Sequence, residues 1–262
     1  MPININNIRT YMNTWKNYTY RQGVDYIHNL EGDVKSVVIE VLEIQQLSEK
    51  NMNGNSVMNL PHKFEDYTDI IFSNIFWKQV NDGYVTPASF IVEIVKKCLE
   101  KQMHDSVQIA GIVGRGFRSF PSFVRELDLA YKLSRKMSGV ELTGNPEQDV
   151  VDHTDILVHR GNCDYRVWSY QSTQRGIENT KSRFVGKRGA IPKGMHVLCP
   201  IDIGANWQIE TLDGWYFYSE SLVEQICKVF EDEPFVYSGI MKMGDEKIME
   251  FMKKTSLVKK EG

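Results

Sequence analysis

The chain has 262 residues, of which 42% are hydrophobic and 25% are charged, and its formal net charge is −3 at pH 7. This length and composition are those of an ordinary globular protein and allow either one large domain or two modest ones. No apolar run approaches the length of a membrane span, and the polar N-terminus has no apolar signal core, so we expect a cytoplasmic protein.

The cysteines and the distribution of charge further restrict the kinds of site that we expect in the protein. Cys98, Cys163, Cys199 and Cys227 are scattered without CxxC spacing, so we expect reduced thiols and neither disulfides nor zinc ligands. The stretch from Ala110 to Lys193 contains 14 Lys or Arg against 9 Asp or Glu, a net charge of +5, which leaves −8 for the rest of the chain. A locally basic stretch is compatible with a polyanion-binding surface, although most such stretches are simply solvated.

Residues 1 to about 105 show mainly helical patterns. Asp33 precedes an amphipathic helical pattern that runs to Ile44. Further helices are predicted around Asp66–Val80 and Pro87–Lys101, the second with Pro87 in its first turn. We therefore expect a helical region over residues 1–105 and a separate mixed region over residues 106–262.

From residue 106 onward the patterns alternate between strands and helices. SVQIAGIVGRGFRS predicts a short apolar strand that runs into glycines, followed by a helix from Ser119 that carries Glu126. Strands are predicted near 139–143, 154–159, 165–172 and 195–202. Ser221 with Glu224 predicts a capped helix, and a last helix is predicted over Asp245–Lys254. The expected fold class is mixed α+β or α/β, with a mixed sheet flanked by helices.

The predicted strand YRVWSYQST is more polar than the strands around it. Because side chains alternate across a strand, Ser169 and Gln171 share one face. If this strand forms a hairpin with HTDILV through HRGNCD, Asp155 lies beside both of them. Together with Glu126 they would supply convergent oxygen ligands, which suits Mg²⁺. Unpaired buried polar groups cost about 1–3 kcal/mol each, so the strand indicates a site or a tight hydrogen-bond network.

This order of residues resembles the PD-(D/E)XK nuclease superfamily, which has the restriction-endonuclease-like fold. The resemblance covers roughly residues 115 to 205. Glu126 matches the helix glutamate and Asp155 matches the hairpin aspartate, while Ser169-Tyr170-Gln171 takes the place of (Asp/Glu)-x-Lys. Some members of the superfamily resemble this chain in using glutamine instead of the lysine. The serine is the larger departure, because it removes one metal-binding carboxylate.

The resemblance implies a Mg²⁺-dependent endonuclease that hydrolyses DNA phosphodiester bonds. Glu126 and Asp155 would hold Mg²⁺, Gln171 would position the metal or the attacking water, and Ser169 would be a minor water ligand. It also implies a restriction-endonuclease-like core over residues 106–262, with residues 1–105 as a recognition or dimerisation region. The two-fold symmetry of DNA favours a homodimer.

Basic residues after the polar strand predict a DNA-binding surface. In RGIENTKSRFVGKRGAIPK they stand among glycines: Arg175, Lys181, Arg183, Lys187, Arg188 and Lys193. Flexible basic side chains near exposed amides suit contacts to phosphate groups. Lys181 and Lys187 are candidates to replace the missing strand lysine. Arg115 and Arg118, at the predicted start of the helix after the glycines, are further candidates for phosphate contact.

Other classes of function stay open. A degenerate nuclease fold that binds DNA or a protein partner would fit the missing lysine and acid. A nucleotide-binding enzyme or sensor would use the glycine-rich helix start, although GIVGRGFR lacks the Gly-Lys-Ser/Thr of a phosphate loop.

The ordinary alternative for Glu126 is an ion pair with Arg125 or Arg135 on a solvated helix face. His153 and His159 flank Asp155, but without a clustered third His or Cys we do not expect zinc.

Overall fold

The computed structural model describes residues 20–51, 70–142, 156–173, 176, 195–212, 215–231, 236–237 and 240–244. They form two compact units, one made of the described residues up to Val124 and the other of those from Arg125 onward. The secondary structure is mixed α+β, as the sequence predicts, with helices first and the sheet after them. Within the described ranges, no helix is long and apolar enough to cross a membrane.

The first unit is helical. Its helices are α1 (Tyr20–His28), α2 (Gly32–Asn51), α3 (Phe72–Asn81), α4 (Pro87–Glu100) and the first part of α5 (Ser106–Lys136). The helices predicted after Asp33 and at Pro87 are confirmed, and Pro87 occupies the first turn of α4. The helix predicted near 66–80 begins at Phe72, and residues 66–69 lie outside the described part.

The start of α5 corrects the sequence analysis. We predicted a strand over SVQIAGIVGRGFRS, but this segment forms the first turns of a 31-residue helix. The reason is its spacing: Ile109, Ile112 and Val113 are buried together, as the 3.6-residue period of a helix requires. Gly116 also allows α5 to pack closely against α4, because a Cβ at this position would lie 2.5 Å from the Ile94 side chain.

The second unit holds a six-stranded sheet in the order β1-β2-β3-β4-β8-β7, together with a two-stranded β5-β6 hairpin. The strands are β1 (Val140–Leu142), β2 (Ile156–Arg160), β3 (Cys163–Gln171), β4 (Met195–Ile201), β5 (Ile209–Leu212), β6 (Trp215–Tyr218), β7 (Val236–Tyr237) and β8 (Ile240–Gly244). The four predicted strands are confirmed, whereas β5 to β8 were not predicted. Neighbouring strands are antiparallel except β3 and β4, which are parallel.

The predicted β2–β3 hairpin is confirmed, with Ile156 opposite Val167. Its turn contains Gly161 at φ +60°, a conformation that glycine adopts without strain. Along β3, Ser169 lies opposite Cys199 of β4, and Gln171 lies opposite Ile201. Because side chains alternate, Ser169 and Gln171 share a face, as predicted.

Helix α6 (Glu220–Val229) is capped differently from our prediction. The cap is Ser219, whose Oγ accepts a hydrogen bond from the backbone amide of Leu222 at 3.1 Å, and not Ser221. Ser221 lies inside the first turn instead. The predicted apolar side of this helix is confirmed by its buried residues: Leu222, Val223, Ile226, Val229 and Phe230. The helix predicted over Asp245–Lys254 lies outside the described residues.

A buried lysine ties α5 to the β5–β6 hairpin. Lys132 lies on α5, and its Nζ is 3.0 Å from Asp128 on the same helix and 2.9 Å from Glu210 on β5. The same ammonium donates a hydrogen bond to the backbone carbonyl of Tyr218 on β6 at 2.6 Å. The side chains of Lys132 and Asp128 are only 8% and 4% exposed, so their charges are held almost entirely inside the protein.

We expect Lys132→Met to lower the free energy of unfolding by about 3–5 kcal/mol, because it leaves the buried Asp128 carboxylate without its cation. Chemical denaturation would measure this loss. Lys136→Met is the matched control on the same helix. Lys136 pairs with Glu220 and Glu224, but those carboxylates are 53% and 61% exposed. Its replacement should cost less than about 1 kcal/mol, and equal losses in the two variants would contradict the assignment.

Candidate functional site

Tyr218 is the centre of a buried polar cluster in the second unit. Its side chain is fully buried, and its hydroxyl donates a hydrogen bond to the carbonyl oxygen of Cys199 on β4 at 3.0 Å. The same hydroxyl lies 2.8 Å from Oγ of Ser169 on β3. A phenol has one hydrogen and a carbonyl can only accept, so Ser169 is the donor in the second bond. The lone pairs of the Ser169 hydroxyl therefore remain able to accept.

Glu126 joins this cluster from α5. It is only 3% exposed, so the alternative that placed it on a solvated helix face is wrong. Burial raises the pKa of Tyr218 well above its usual range, and the nearby Glu126 carboxylate raises it further. An effect of this kind requires proximity. Tyr218 therefore interacts with both residues, with Ser169 by a hydrogen bond and with Glu126 electrostatically.

Arg125 precedes Glu126 on α5 and is half-buried. Burial lowers its pKa, whereas Tyr218 and Glu126 act in the opposite direction, so the guanidinium lies within electrostatic range of both. No described residue accepts a hydrogen bond from this guanidinium or forms an ion pair with it. Arg135, the other arginine that we considered as a partner of Glu126, instead places its guanidinium over the Tyr131 ring at 5.9 Å.

Gln171 ends β3 and lies where the basic segment begins. The amide of the next residue, Ser172, donates to the carbonyl of Ile201 at 2.9 Å, which extends the pairing with β4. Gly176 packs directly against the end of β3, because a Cβ at this position would lie 2.1 Å from the Gln171 carbonyl oxygen. Glycine is therefore required at 176, and the basic segment starts in contact with the strand that bears Ser169 and Gln171.

The structure describes some of the predicted site residues and not others. Glu126, Ser169 and Gln171 belong to the second unit, where Tyr218 connects the first two. Other predicted residues lie outside the described part, namely Asp155, Arg175, Lys181, Arg183, Lys187 and Arg188, as does the side chain of Arg118. Arg115 belongs to the first unit and lies in the interior of α5, nine residues after its start. The predicted glycine-rich helix start at Arg115 is therefore wrong.

The cluster and the neighbouring strand position of Gln171 carry oxygen donors. Glu126 offers a carboxylate, Gln171 an amide oxygen and Ser169 a hydroxyl, all of which are oxygen ligands of the kind that Mg²⁺ takes. Within the described ranges, no group of three or more His, Cys, Asp or Glu side chains is placed to hold a metal ion. His159 is held by two carboxylates instead, with Nδ1 2.7 Å from Asp164 and Nε2 3.0 Å from Glu141.

Two members of the cluster were missed by the sequence analysis. Tyr218 ends the short aromatic strand WYFY. Only the hydrogen bonds of its hydroxyl to β3 and β4 distinguish it from Tyr216, which is exposed in the same strand. Arg125, Asp128 and Lys132 recur at helical spacing, but this spacing is equally that of a solvated helix face, so no sequence signal indicates that these charges are partly or fully buried.

Comparison with known proteins identifies no relative of this chain. No protein-family model matches it. No curated protein and no solved structure matches it either. The function must therefore be inferred from the residues of the chain and their arrangement.

Proposed function

We propose that the second unit is the core of a Mg²⁺-dependent endonuclease that hydrolyses DNA phosphodiester bonds. The observation that carries the proposal is that the buried Glu126 of α5 interacts electrostatically with Tyr218, whose hydroxyl is bonded to Ser169 on the polar face of β3. A helix acid beside a polar strand is the arrangement that the sequence resemblance implies. The chain order of α5, the β2–β3 hairpin and β4 supports it as well. In this proposal the helical first unit serves recognition or dimerisation, and a homodimer would match the symmetry of DNA.

The proposed metal ligands are Glu126 and Asp155, with Gln171 beside them. Mg²⁺ bound there would lower the pKa of a coordinated water and neutralise charge at the scissile phosphate. Glu126 suits this role because α5 holds its carboxylate in a fixed, buried position.

The side chains on β3 would orient the attacking water. Ser169 donates its proton to Tyr218, so toward the water it can act only as an acceptor. The Gln171 amide can both donate and accept, and therefore can hold the water or a metal ligand in place. In the reaction the water oxygen bonds to phosphorus, the bond from phosphorus to the leaving oxygen breaks, and that oxygen takes up a proton.

The basic segment would hold the DNA backbone next to this chemistry. It begins at Arg175, and the described Gly176 packs directly on the Gln171 carbonyl. Cations that leave the strand at this point can reach phosphates adjacent to the scissile one. Lys181 or Lys187 would supply part of the positive charge that a strand lysine supplies in the superfamily.

One observation favours a second candidate, a nuclease fold that binds DNA or a protein without cleaving it. Position 169 carries a serine instead of an acid, and its hydroxyl is already bonded to Tyr218. A hydroxyl held in this way supplies less negative charge for a metal ion than a carboxylate does. The cleavage assay below distinguishes the two candidates.

We expect Asp155→Ala to abolish Mg²⁺-dependent cleavage of plasmid DNA while DNA binding persists, because it removes the strand carboxylate of the metal site. Gln171→Ala should slow cleavage about 10- to 100-fold, as loss of an orienting group near a metal typically does. Ser169→Ala should have a much smaller effect, since water can replace a hydroxyl. Asp164→Ala is the matched control, because this exposed carboxylate of the same hairpin faces His159.

The same assay decides between the candidates. If the purified wild-type protein cleaves neither DNA nor RNA with Mg²⁺ or Mn²⁺, the endonuclease proposal fails and the binding module takes its place. If Asp164→Ala and Asp155→Ala lose cleavage equally while both remain folded, Asp155 has no special role. Circular dichroism of each variant would establish that the fold is retained.

DNA affinity should fall steeply with salt, because binding of the basic segment releases counterions from the phosphates. Lys187→Ala combined with Arg188→Ala should reduce the slope of log K against log salt by about one unit per lost contact. Fluorescence anisotropy over a salt series measures this slope. Lys96→Ala with Lys97→Ala removes the same charge, but these lysines already pair with Glu93 and Glu100. An equal reduction in the control would show that only net charge matters.

A further inference from the structure

Three charged side chains meet on one face of the sheet, at the edge formed by β1. Glu141 lies on β1, His159 on β2 and Asp164 on β3. Nδ1 of His159 is 2.7 Å from a carboxylate oxygen of Asp164, and Nε2 is 3.0 Å from a carboxylate oxygen of Glu141. Each ring nitrogen therefore faces a carboxylate of its own, and the imidazole connects the two strands on either side of β2.

These two distances determine the charge of the imidazole. An ionised carboxylate can only accept hydrogen bonds, and a neutral imidazole has a single N–H to donate. A neutral His159 would therefore leave one ring lone pair facing a carboxylate oxygen, which is repulsive. The imidazolium donates to both partners, so the geometry requires a protonated His159. In agreement, the hydrogen bond to Asp164 and then the one to Glu141 raise the pKa of His159 above its usual value.

The other charged groups of the neighbouring strands are placed differently. Arg160, the next residue of β2, points to the opposite face of the sheet, where its Nη2 lies 3.8 Å from Glu231. Arg166 shares the face of Asp164 on β3 but lies two register positions further along the hairpin. The three residues of β1 include no charged side chain besides the carboxylate that bonds His159. In the described part of these strands, the two carboxylates are therefore the charged groups in hydrogen-bond contact with the imidazole.

Strand β1 is attached to the sheet by a small number of backbone contacts. It lies at the edge of the sheet and pairs three residues with β2. Gly139, just before it, has φ +77°, and its carbonyl accepts a hydrogen bond from the His159 amide at 2.8 Å. A Cβ on Gly139 would lie 2.2 Å from the His159 carbonyl oxygen, so this close approach requires glycine. Short edge segments of this kind open most readily, so a side-chain bond across them affects their stability.

We propose that His159 is a proton-dependent link that holds the edge strand β1 on the β2–β3 hairpin. While the imidazole is charged, it joins β1 to β3 through Glu141 and Asp164. When it loses its proton, one of the two bonds is lost and the carboxylates face each other without a cation between them, which loosens β1. Helix α5 ends at Lys136, just before this strand, so the link also affects how firmly the end of α5 is attached to the sheet.

The link stabilises β1 in mildly acidic solution and weakens as the pH rises. The pKa of His159 in the folded protein is raised, whereas an unfolded histidine titrates near about 6.5. A group whose folded pKa is raised contributes its full stabilisation below the unfolded pKa and loses it as the pH passes through the folded pKa. The attachment of β1 should therefore be complete below about pH 6.5 and decline above it.

The first test is the titration of His159, followed through its ring resonances by NMR over a pH series. The midpoint should lie above about 6.5, and both ring nitrogens should carry a proton below it. Glu141→Gln and Asp164→Asn should each lower the midpoint, because each removes an anion that bonds the imidazolium. Glu231→Gln is the matched control. It removes the same charge from a carboxylate that faces Arg160 on the other side of the sheet, and it should lower the midpoint less.

The second test is hydrogen exchange, which reports whether the charge holds β1. The protection of the His159 amide, which donates to Gly139, should fall about two- to tenfold across the titration, the range expected for exposed ion pairs. His159→Gln has no charge at any pH and should show the lower protection throughout. His159→Arg keeps its cation at every pH, so its protection should not follow the titration.

Either measurement can overturn the inference. It is wrong if the wild-type midpoint is about 6.5 or lower, or if neither Glu141→Gln nor Asp164→Asn lowers the midpoint more than Glu231→Gln does. It is equally wrong if the protection of the His159 amide stays constant through the titration. If His159→Gln does not fold, the comparison of wild type with His159→Arg decides. Cleavage of DNA enters neither measurement, so a failure of the proposed nuclease leaves these outcomes unchanged.

Discussion

The second unit depends on Tyr218, whose two polar ends are both bonded to other elements. Its backbone carbonyl accepts from Lys132 of α5, and its hydroxyl binds Ser169 of β3 and the Cys199 carbonyl of β4. One residue of β6 therefore links the helix to the centre of the sheet. In a buried environment such bonds reinforce each other, and removing a single partner leaves several polar groups unsatisfied. The positions of Glu126 and Arg125 follow from this link, because both lie on the same helix as Lys132.

The density of charge on this stretch of α5 calls for an explanation beyond stability. Glu126, Asp128 and Lys132 are each less than 10% exposed, and Arg125 is half-buried beside them. Buried ion pairs often contribute little net stability, because the desolvation of the charges offsets their attraction, and apolar residues of similar volume would serve as well. Chains keep such groups where a binding or catalytic site needs fixed charges. The proposed function gives Glu126 a use of this kind, and Lys132 holds the helix that carries it.

Sequence patterns predicted those elements whose signal is local. The β2–β3 hairpin followed from alternation around a glycine turn, and α4 followed from Pro87 before an apolar helical pattern. The start of α5 was mispredicted, because glycines and β-branched residues favour strands locally while their buried spacing is helical. The strands β5 to β8 are short and depend on pairing with distant segments, which no local pattern reveals. Of the candidate site, Glu126 and the polar face of β3 could be predicted, whereas the connection through Tyr218 is a tertiary contact.

In the proposed nuclease, Ser169-Tyr170-Gln171 would take the place of (Asp/Glu)-x-Lys, and this exchange is less disruptive when charge is counted. Exchanging an acid and a lysine for two neutral residues leaves the net charge of the strand unchanged, so the potential at a bound phosphate changes less than either loss alone would suggest. In that proposal the helix acid is Glu126, which raises the pKa of Tyr218, and the Tyr218 hydroxyl is bonded to Ser169. The interaction energy between a phosphate and a charged side chain depends on their distance and on the burial of the charge, whichever element carries it. In the proposed nuclease the positive charge would come from the basic segment, and Ser169 would avoid placing a second carboxylate beside the Tyr218 hydroxyl.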